Sequence, residues 1–151
     1  MRPEIPLDGT DLEIIDLLSA DGRRSLSEIA TSVSLSAPAV KRRVDRLLEL
    51  GVIKGFTAVI DHEKLGRQIE AFTELRFSGK TKVADIAGIA RELPEVEAVY
   101  TTAGDPDALV HLRARDVEDL TRVIDLLRRS GRVTGTKTLI VLGTETKAAH
   151  T

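Results

Sequence analysis

Apolar residues in the first third of the chain recur at the three- and four-residue spacing of amphipathic helices. Three such stretches follow one another. Asp8 or Thr10 can cap the first, and Asp21-Gly22 ends it. Ser25 and Glu28 have the spacing of a capping box at the start of the second. The pattern therefore predicts at least two short, capped helices before residue 35.

A third helical pattern begins at Ser36 and ends at Leu50-Gly51, with Pro38 in its first turn, where no backbone N–H is needed. Only residues 33–36 separate it from the second pattern. Two short apolar segments follow, 52–55 and 56–61, and we predict two strands that meet at Gly55. This order is typical of a winged helix-turn-helix, whose second helix enters the DNA major groove.

The second half of the chain changes to alternating apolar and polar positions, which indicate strands, interrupted by two helical patterns. Its order is β-α-β-β-α-β, the ferredoxin-like arrangement. One face of that sheet would be covered by the helices. The other is open and partly apolar, which indicates a partner, most simply another copy. The predicted elements are strand 69–77, helix 82–93, strands 96–102 and 108–114, helix 117–129 and strand 133–142.

These patterns predict an α+β fold: an N-terminal winged helix-turn-helix joined to a C-terminal ferredoxin-like domain for oligomerisation. We place the DNA-binding domain at 1–60, a linker at 61–66, the second domain at 67–143 and a polar tail at 144–151.

Composition narrows the functional classes. There is no cysteine, which excludes disulfides and thiolate metal sites, and the three histidines lie far apart without metal-ligand spacing. No apolar run approaches ~20 residues, and no signal peptide is evident. We predict a cytoplasmic protein with no membrane contact, no metal and no cofactor.

The net charge of −2 is unusual for a protein that binds only nucleic acid, but the charge is unevenly distributed. Acidic residues cluster in the first helical pattern, and basic residues in the third and around it. A basic face can bind phosphate even when the whole domain is near neutral. The alternative is an ordinary solvated basic surface. The predicted DNA-binding residues are Arg23, Arg24, Ser36, Ala37, Pro38, Lys41, Arg42, Arg43, Arg46 and Lys54.

Two separated groups of residues resemble the leucine-responsive/asparagine-type (Lrp/AsnC) transcription regulators. The first group is Leu7-Asp8, Asp11, Ile14-Ile15, Leu18, Asp21-Gly22-Arg23, Glu28-Ile29-Ala30, Val33, Leu35-Ser36, Val40, Arg43-Val44, Leu47 and Gly51-Val52-Ile53. The second is Ala58-Val59-Ile60-Asp61, Leu65-Gly66, Thr102-Ala103-Gly104-Asp105, Asp107 and Leu109-Val110. The resemblance implies a regulator that binds double-stranded DNA as a homodimer joined through its C-terminal sheets. It also implies assembly to a tetramer or octamer and response to an amino acid or similar molecule.

The turn 104–107 is the second candidate site. A glycine-rich turn offers backbone N–H groups to a carboxylate, and a nearby Asp can hold an ammonium group. The same residues also make a good hairpin turn, which is the alternative. The resemblance implies that loop 131–138 of a neighbouring subunit completes the pocket. The predicted effector-binding residues are Thr101, Thr102, Gly104, Asp105, Asp107, Thr134 and Thr136.

One departure affects this site. The family commonly has an aromatic residue beside the turn, where Pro106 and Ala108 stand here.

Two other functions share much of the pattern. One is a nucleoid-associated architectural protein without effector control. The other is a tetrapyrrole-type decarboxylase of similar architecture, for which His111 would face a large cavity.

Overall fold

A computed structural model describes residues 5–79, 81–129 and 132–145 of the 151 in the chain. They form two compact units, 5–59 and 60–145, each with its own hydrophobic core. Most of the predicted polar tail, from residue 146 on, lies outside the described residues, as does Gly131 in the predicted effector loop. None of the helices in the described ranges is long and apolar enough to cross a membrane.

The first unit contains the three predicted helices: α1 (Gly9–Ala20), α2 (Leu26–Ser32) and α3 (Ala37–Glu49). Each begins at a side-chain cap. Asp8 caps α1 and forms a reciprocal capping box with Asp11, and Ser25 does the same with Glu28 at α2. The apolar stripes meet in a core whose fully buried members include Ile14, Ile29, Val40 and Leu47.

The connection between α2 and α3 is the tight turn that a helix-turn-helix requires. Its bend is at Ser34, which has a φ of 55° in the left-handed region. The Leu35 N–H then donates to the Ala30 carbonyl oxygen at 3.0 Å, which satisfies the backbone at the end of α2. Ser36 follows as the cap of α3, so only four residues connect the two helices.

The predicted wing is wrong: the structure has no strand in residues 52–61. Val52 and Ile53 pack against the first core, and the Ile53 N–H donates to the Leu47 carbonyl oxygen at 3.0 Å. The rest of the segment is exposed, and Val59 is 100% accessible. A two-stranded hairpin of this length is marginal without a covered face, and this segment has none within its unit.

The second unit begins with a short 3-10 helix, Glu63–Leu65, and then has the predicted β-α-β-β-α-β order. The elements are β1 (Ile69–Phe77), α4 (Val83–Arg91), β2 (Val96–Thr101), β3 (Ala108–Ala114), α5 (Val117–Arg128) and β4 (Val133–Ile140). The predicted boundaries differ from the observed ones by at most two residues. The four-stranded sheet has the order β2-β3-β1-β4 with antiparallel neighbours, so the ferredoxin-like prediction is confirmed.

The sheet has a buried face and an open one. Leu75 and Leu112 on the buried face pack with Leu127 of α5 in the second core. On the open face the rings of Phe72 and His111 stack, with centroids 4.6 Å apart. Apolar and aromatic residues, Leu139 and Tyr100 among them, stay about half exposed in the chain taken singly.

Candidate nucleic-acid interface and ligand site

The helix α3 offers a polar outer side at its N-terminal half. The Ser36 hydroxyl accepts a hydrogen bond from the Ala39 N–H at 3.3 Å, and Pro38 lies in the first turn. Pro38, Lys41 and Arg42 are exposed on the side away from the core, as predicted from the spacing. The end of a helix that could enter a major groove is therefore polar, capped and accessible.

The basic residues of this face differ in how far they are already engaged. Lys41 pairs with Asp45 one turn later, with Nζ and Oδ2 2.5 Å apart. Arg42 is exposed, and within the described part of the chain its side chain has no hydrogen bond or ion pair. An exposed guanidinium with five unsatisfied N–H donors can bind a phosphate or the edge of a guanine.

Arg43 and Arg46 instead bond to α1. The carboxylate of Asp11, 1% exposed, accepts from Arg43 Nη1 at 2.7 Å through Oδ1 and from Arg46 Nη1 at 3.2 Å through Oδ2. Arg43 also donates to Asp8 at 2.8 Å, and Arg46 to the Pro6 carbonyl oxygen at 3.0 Å. The two arginines thus hold α3 against α1, a role that sequence reasoning missed.

The charges of this cluster reinforce one another. The backbone N–H of Asp11 and then the guanidinium of Arg43 hold the pKa of the Asp8 carboxyl below its ordinary range. Hydrogen bonds to Asp8 and Asp11 raise the pKa of Arg43. A helical wheel of α3 could have revealed the anchoring role of Arg43, because this residue lies beside the buried stripe of the helix and not opposite it.

The other predicted DNA-binding residues lie around α3 in the sequence. Arg23 and Arg24 are in the connection between α1 and α2, where the Arg23 N–H donates to the Asp21 carboxylate at 2.9 Å. Lys54 is exposed in the irregular segment after α3, and Ala37 is the half-buried first residue of that helix. Their contacts with DNA stay a prediction.

The turn after β2 is tied to the end of β1. The Phe77 N–H donates to Oδ2 of Asp107 at 2.7 Å, and the Asp107 N–H donates to the Leu75 carbonyl oxygen at 3.0 Å. Arg76 Nε lies 2.7 Å from Oδ1 of Asp105, whose hydrogen bond and charge raise the pKa of the guanidinium. The hydroxyl of Thr134 donates to the Arg76 carbonyl oxygen at 3.1 Å. The pairing of β1 with β4 shifts register at this point.

Four predicted effector residues therefore belong to one network around Arg76 and Phe77. Thr102 joins it because its N–H donates to the Asp107 carbonyl oxygen at 3.2 Å and its hydroxyl bonds to the Pro106 carbonyl oxygen. Thr136 is elsewhere, since its hydroxyl accepts from Arg128 Nε at 3.0 Å. Gly104 has a φ of 127°, and Thr101 is exposed. Arg76, a cation inside a predicted site for an anion, was missed because it lies far from the turn in sequence.

The described residues contain no group of three or more His, Cys, Asp or Glu side chains that could hold a metal ion. The functional features of the chain are thus an exposed helix of a helix-turn-helix and a charged turn in a ferredoxin-like domain.

Family models match both units of the chain. Residues 7–48 match the AsnC-type helix-turn-helix domain, and residues 70–149 match the Lrp/AsnC ligand binding domain. The chain belongs to the Lrp/AsnC family. The resemblance inferred from the separated motifs is confirmed.

Curated relatives agree over nearly the whole length. The HTH-type transcriptional regulator Rv2324 of Mycobacterium tuberculosis is 40% identical over 136 residues, 90% of this chain and 92% of that protein. The HTH-type transcriptional regulator FL11 of Pyrococcus horikoshii is 39% identical over 140 residues, 93% of this chain and 92% of that protein. This Lrp/AsnC member is therefore a DNA-binding transcriptional regulator, and because these relatives are not enzymes the decarboxylase alternative is wrong.

Solved structures share the fold. A transcriptional regulator from Neisseria meningitidis, crystallised as a complex with L-Met, is 27% identical and has a TM-score of 0.86. That similarity covers 95% of this chain and 94% of the other. The structure of LrpC from B. subtilis is 28% identical with a TM-score of 0.82, and covers 94% of this chain and 99% of that one.

Proposed function

We propose that this Lrp/AsnC regulator is sequence-specific, contacts base edges through the N-terminal half of α3, and responds to an amino acid or similar small effector at the turn 104–107. The DNA part of this proposal rests on the different contacts that the three arginines of α3 make. Arg43 and Arg46 anchor the helix to Asp11, while Arg42 is exposed and without a bonded partner in the described chain.

These different contacts of the arginines determine how α3 can meet DNA. An anchored helix presents its outer side in a fixed orientation, which reduces the conformational entropy lost on binding. Arg42 on that side can donate two hydrogen bonds to a guanine or bond to a phosphate. Arg23, Arg24 and Lys54 supply flanking phosphate contacts in this proposal.

The DNA part is tested with Arg42→Ala on a duplex that the wild type has selected from a randomised library. Loss of a base contact should weaken binding by about 1–3 kcal/mol and relax the preference at one position. Loss of a phosphate contact should instead reduce the salt slope of binding by about 0.9. Arg91→Ala, an exposed arginine on α4, is the matched control. Unchanged affinity and salt slope for Arg42→Ala would refute the assignment.

A homodimer provides two such helices for two half-sites. We place its contact at the open face of the sheet, because Leu139 and Tyr100 are about half exposed there beside the Phe72–His111 stack. Assembly beyond the dimer, to a tetramer or octamer, follows in the same proposal. Multi-angle light scattering should give at least twice the 16.4 kDa mass of the chain, and a monomer at micromolar concentration would contradict it.

For the effector, Arg76 and Asp105 supply the complementary charges. An amino acid carries one carboxylate and one ammonium group, which suit a guanidinium and an adjacent carboxylate. Backbone N–H groups of the turn can add to the carboxylate side. The neisserial relative's complex with L-Met supports an amino acid as the ligand class. Binding would act by favouring one state of assembly or one spacing of the two α3 helices.

The effector part is tested by thermal melts of the full chain against each of the twenty amino acids. An effector at 100 times its dissociation constant should stabilise the protein by about 2.7 kcal/mol. Arg76→Ala should abolish that shift, and Arg91→Ala should keep it. A wild type that binds DNA but shifts with none of the twenty would support the architectural alternative.

A further inference from the structure

The outer side of α5, together with its C-cap residue, carries four charges of alternating sign in a single stripe. They are Glu118, Arg122, Asp125 and Arg129, separated by four, three and four residues. This is the spacing of the facing positions of a heptad seam, so the four side chains share one side of the helix. Glu118 and Arg129 are exposed, and the side chains of Arg122 and Asp125 are 46% and 49% accessible.

The order of the charges makes this stripe complementary to its own reverse. When a second copy of α5 lies antiparallel, the two-fold axis falls between residues 123 and 124. Glu118 then faces Arg129 of the partner copy, and Arg122 faces Asp125 of the partner copy. Each pair occurs twice, so the contact contains four opposite-charge pairs and no like-charge pair. A contact in which the same patch meets itself is isologous and closes on two copies.

Interactions within the chain leave most of this stripe available. The side chains of Glu118 and Arg129 have no hydrogen bond or ion pair among the residues that the structure describes. Arg122 bonds inward to Asp119 at 2.8 Å and to Glu95, which fixes its guanidinium while part of it stays exposed. Asp125 has one contact, with Arg128 at 3.7 Å.

Apolar groups flank the charges. Val117 is 64% exposed at the start of α5. Leu126 is half-buried and lies outside the second core cluster. These side chains add apolar area beside the charges, and the stripe lies on the helix and not on the open face of the sheet.

We infer that α5 pairs antiparallel with α5 of a second copy through this stripe. The contact is mainly electrostatic, so it weakens as salt increases, because the screening length falls from about 10 Å at 0.1 M to about 3 Å at 1 M. An apolar contact between sheets does not weaken in this way. The inference stands independently of the effector and DNA proposals.

Charge reversal with rescue tests it. Glu118→Arg alone or Arg129→Glu alone places like charges opposite each other twice and should lower the association constant roughly tenfold or more. The double variant restores opposite charges at both places and should recover association. Analytical ultracentrifugation at low salt measures the masses. Glu92→Arg and Arg91→Glu, exposed on or just after α4, are the matched controls.

The results for these variants show which surface binds the stripe on α5. If association weakens in both single variants and recovers in the double variant, the result supports pairing of α5 with α5 of a second copy. Unchanged masses in all three variants overturn the inference, and so does loss in the singles without recovery in the double, which indicates a different partner surface.

Cross-linking gives a second, independent result. The natural chain has no cysteine, so a mixture of Glu118→Cys and Arg129→Cys chains can be joined by a short thiol-to-thiol reagent without background. The mixture should give a cross-linked pair that forms less readily with either variant alone. Equal yields in all three samples would contradict the antiparallel register.

Discussion

Two buried carboxylates each hold two arginines, and this arrangement stabilises both units. Asp11 binds Arg43 and Arg46 in the first unit, and Asp119 binds Arg115 and Arg122 in the second. A buried carboxylate is costly unless it is paired and hydrogen-bonded, which both are. Removing either acid takes away the carboxylate that two arginines share.

At the residue scale, the first prediction concerns Asp11. Asp11→Asn removes the charge that Arg43 and Arg46 share and should destabilise the first unit by on the order of 1–3 kcal/mol. DNA affinity should fall with it, since α3 loses its anchor. Urea unfolding followed by far-ultraviolet circular dichroism measures the first effect. Asp16→Asn, on an acid in the same helix with no side-chain bond in the described structure, is the control.

The second prediction is a pH dependence. Hydrogen bonds from Arg115 and Arg122 hold the pKa of Asp119 far below its ordinary value of 3.8. A carboxyl with a depressed pKa in the folded state contributes stability above its unfolded pKa and loses it as pH falls towards the folded one. The wild type should therefore be more stable than Asp119→Asn by a constant amount above about pH 5, and that difference should shrink below about pH 4.

Unfolding curves of both proteins between pH 7 and pH 2.5 would measure the difference directly. Glu92→Gln, an exposed acid without a bonded partner among the described residues, should show no comparable change. A difference between wild type and Asp119→Asn that is equally large at pH 3 would contradict the assignment.

Sequence reasoning was weakest at this scale. It placed Arg42 and Arg43 together on the DNA, because both are basic and adjacent. Only the packing of α1 on α3 shows that Arg43 lies beside Asp11 and Arg42 does not. The partners are more than thirty positions apart, and no local pattern encodes such a pair.

At the element scale, helix boundaries were predictable because their determinants are local. The caps Asp8, Ser25 and Ser36 all accept the backbone hydrogen bonds expected of them. The prediction of a wing was wrong because the determinants of a strand are not local. Strands need a partner and a covered face, and the apolar composition of 52–61 supplies neither.

The third prediction concerns glycine-to-alanine substitutions at two positions. They should change the stability of the protein in opposite directions. Gly88 lies inside α4, where an added Cβ would meet nothing within 4 Å, so Gly88→Ala should stabilise by about 0.5–1 kcal/mol. Gly51 ends α3 with a φ of 68°, so Gly51→Ala should destabilise by about 1–2 kcal/mol. Urea titration of the two variants measures both signs, and stabilisation by Gly51→Ala would contradict the second.

At the scale of the whole molecule, the change of period from helical to alternating in the sequence identified two domain types, and the fold class followed from their order. The two described units have separate core clusters, which share no residue. What the pattern could not supply is the chemistry of the turn. Arg76 and Phe77 on β1 meet Asp105 and Asp107 only after the sheet has formed.

The separate cores give the last prediction, that core substitutions act within their own unit. Ile29 and Leu112 are fully buried, one in each cluster, and truncation of either to Ala should cost about 2–5 kcal/mol. Ile29→Ala should speed amide hydrogen exchange in 5–59 and leave 60–145 protected, and Leu112→Ala should do the reverse. Mass spectrometry of peptic fragments resolves the two ranges. Leu142→Ala, at an exposed site, should change neither. Faster exchange in both ranges for either core variant would show that the two cores unfold as one cooperative unit.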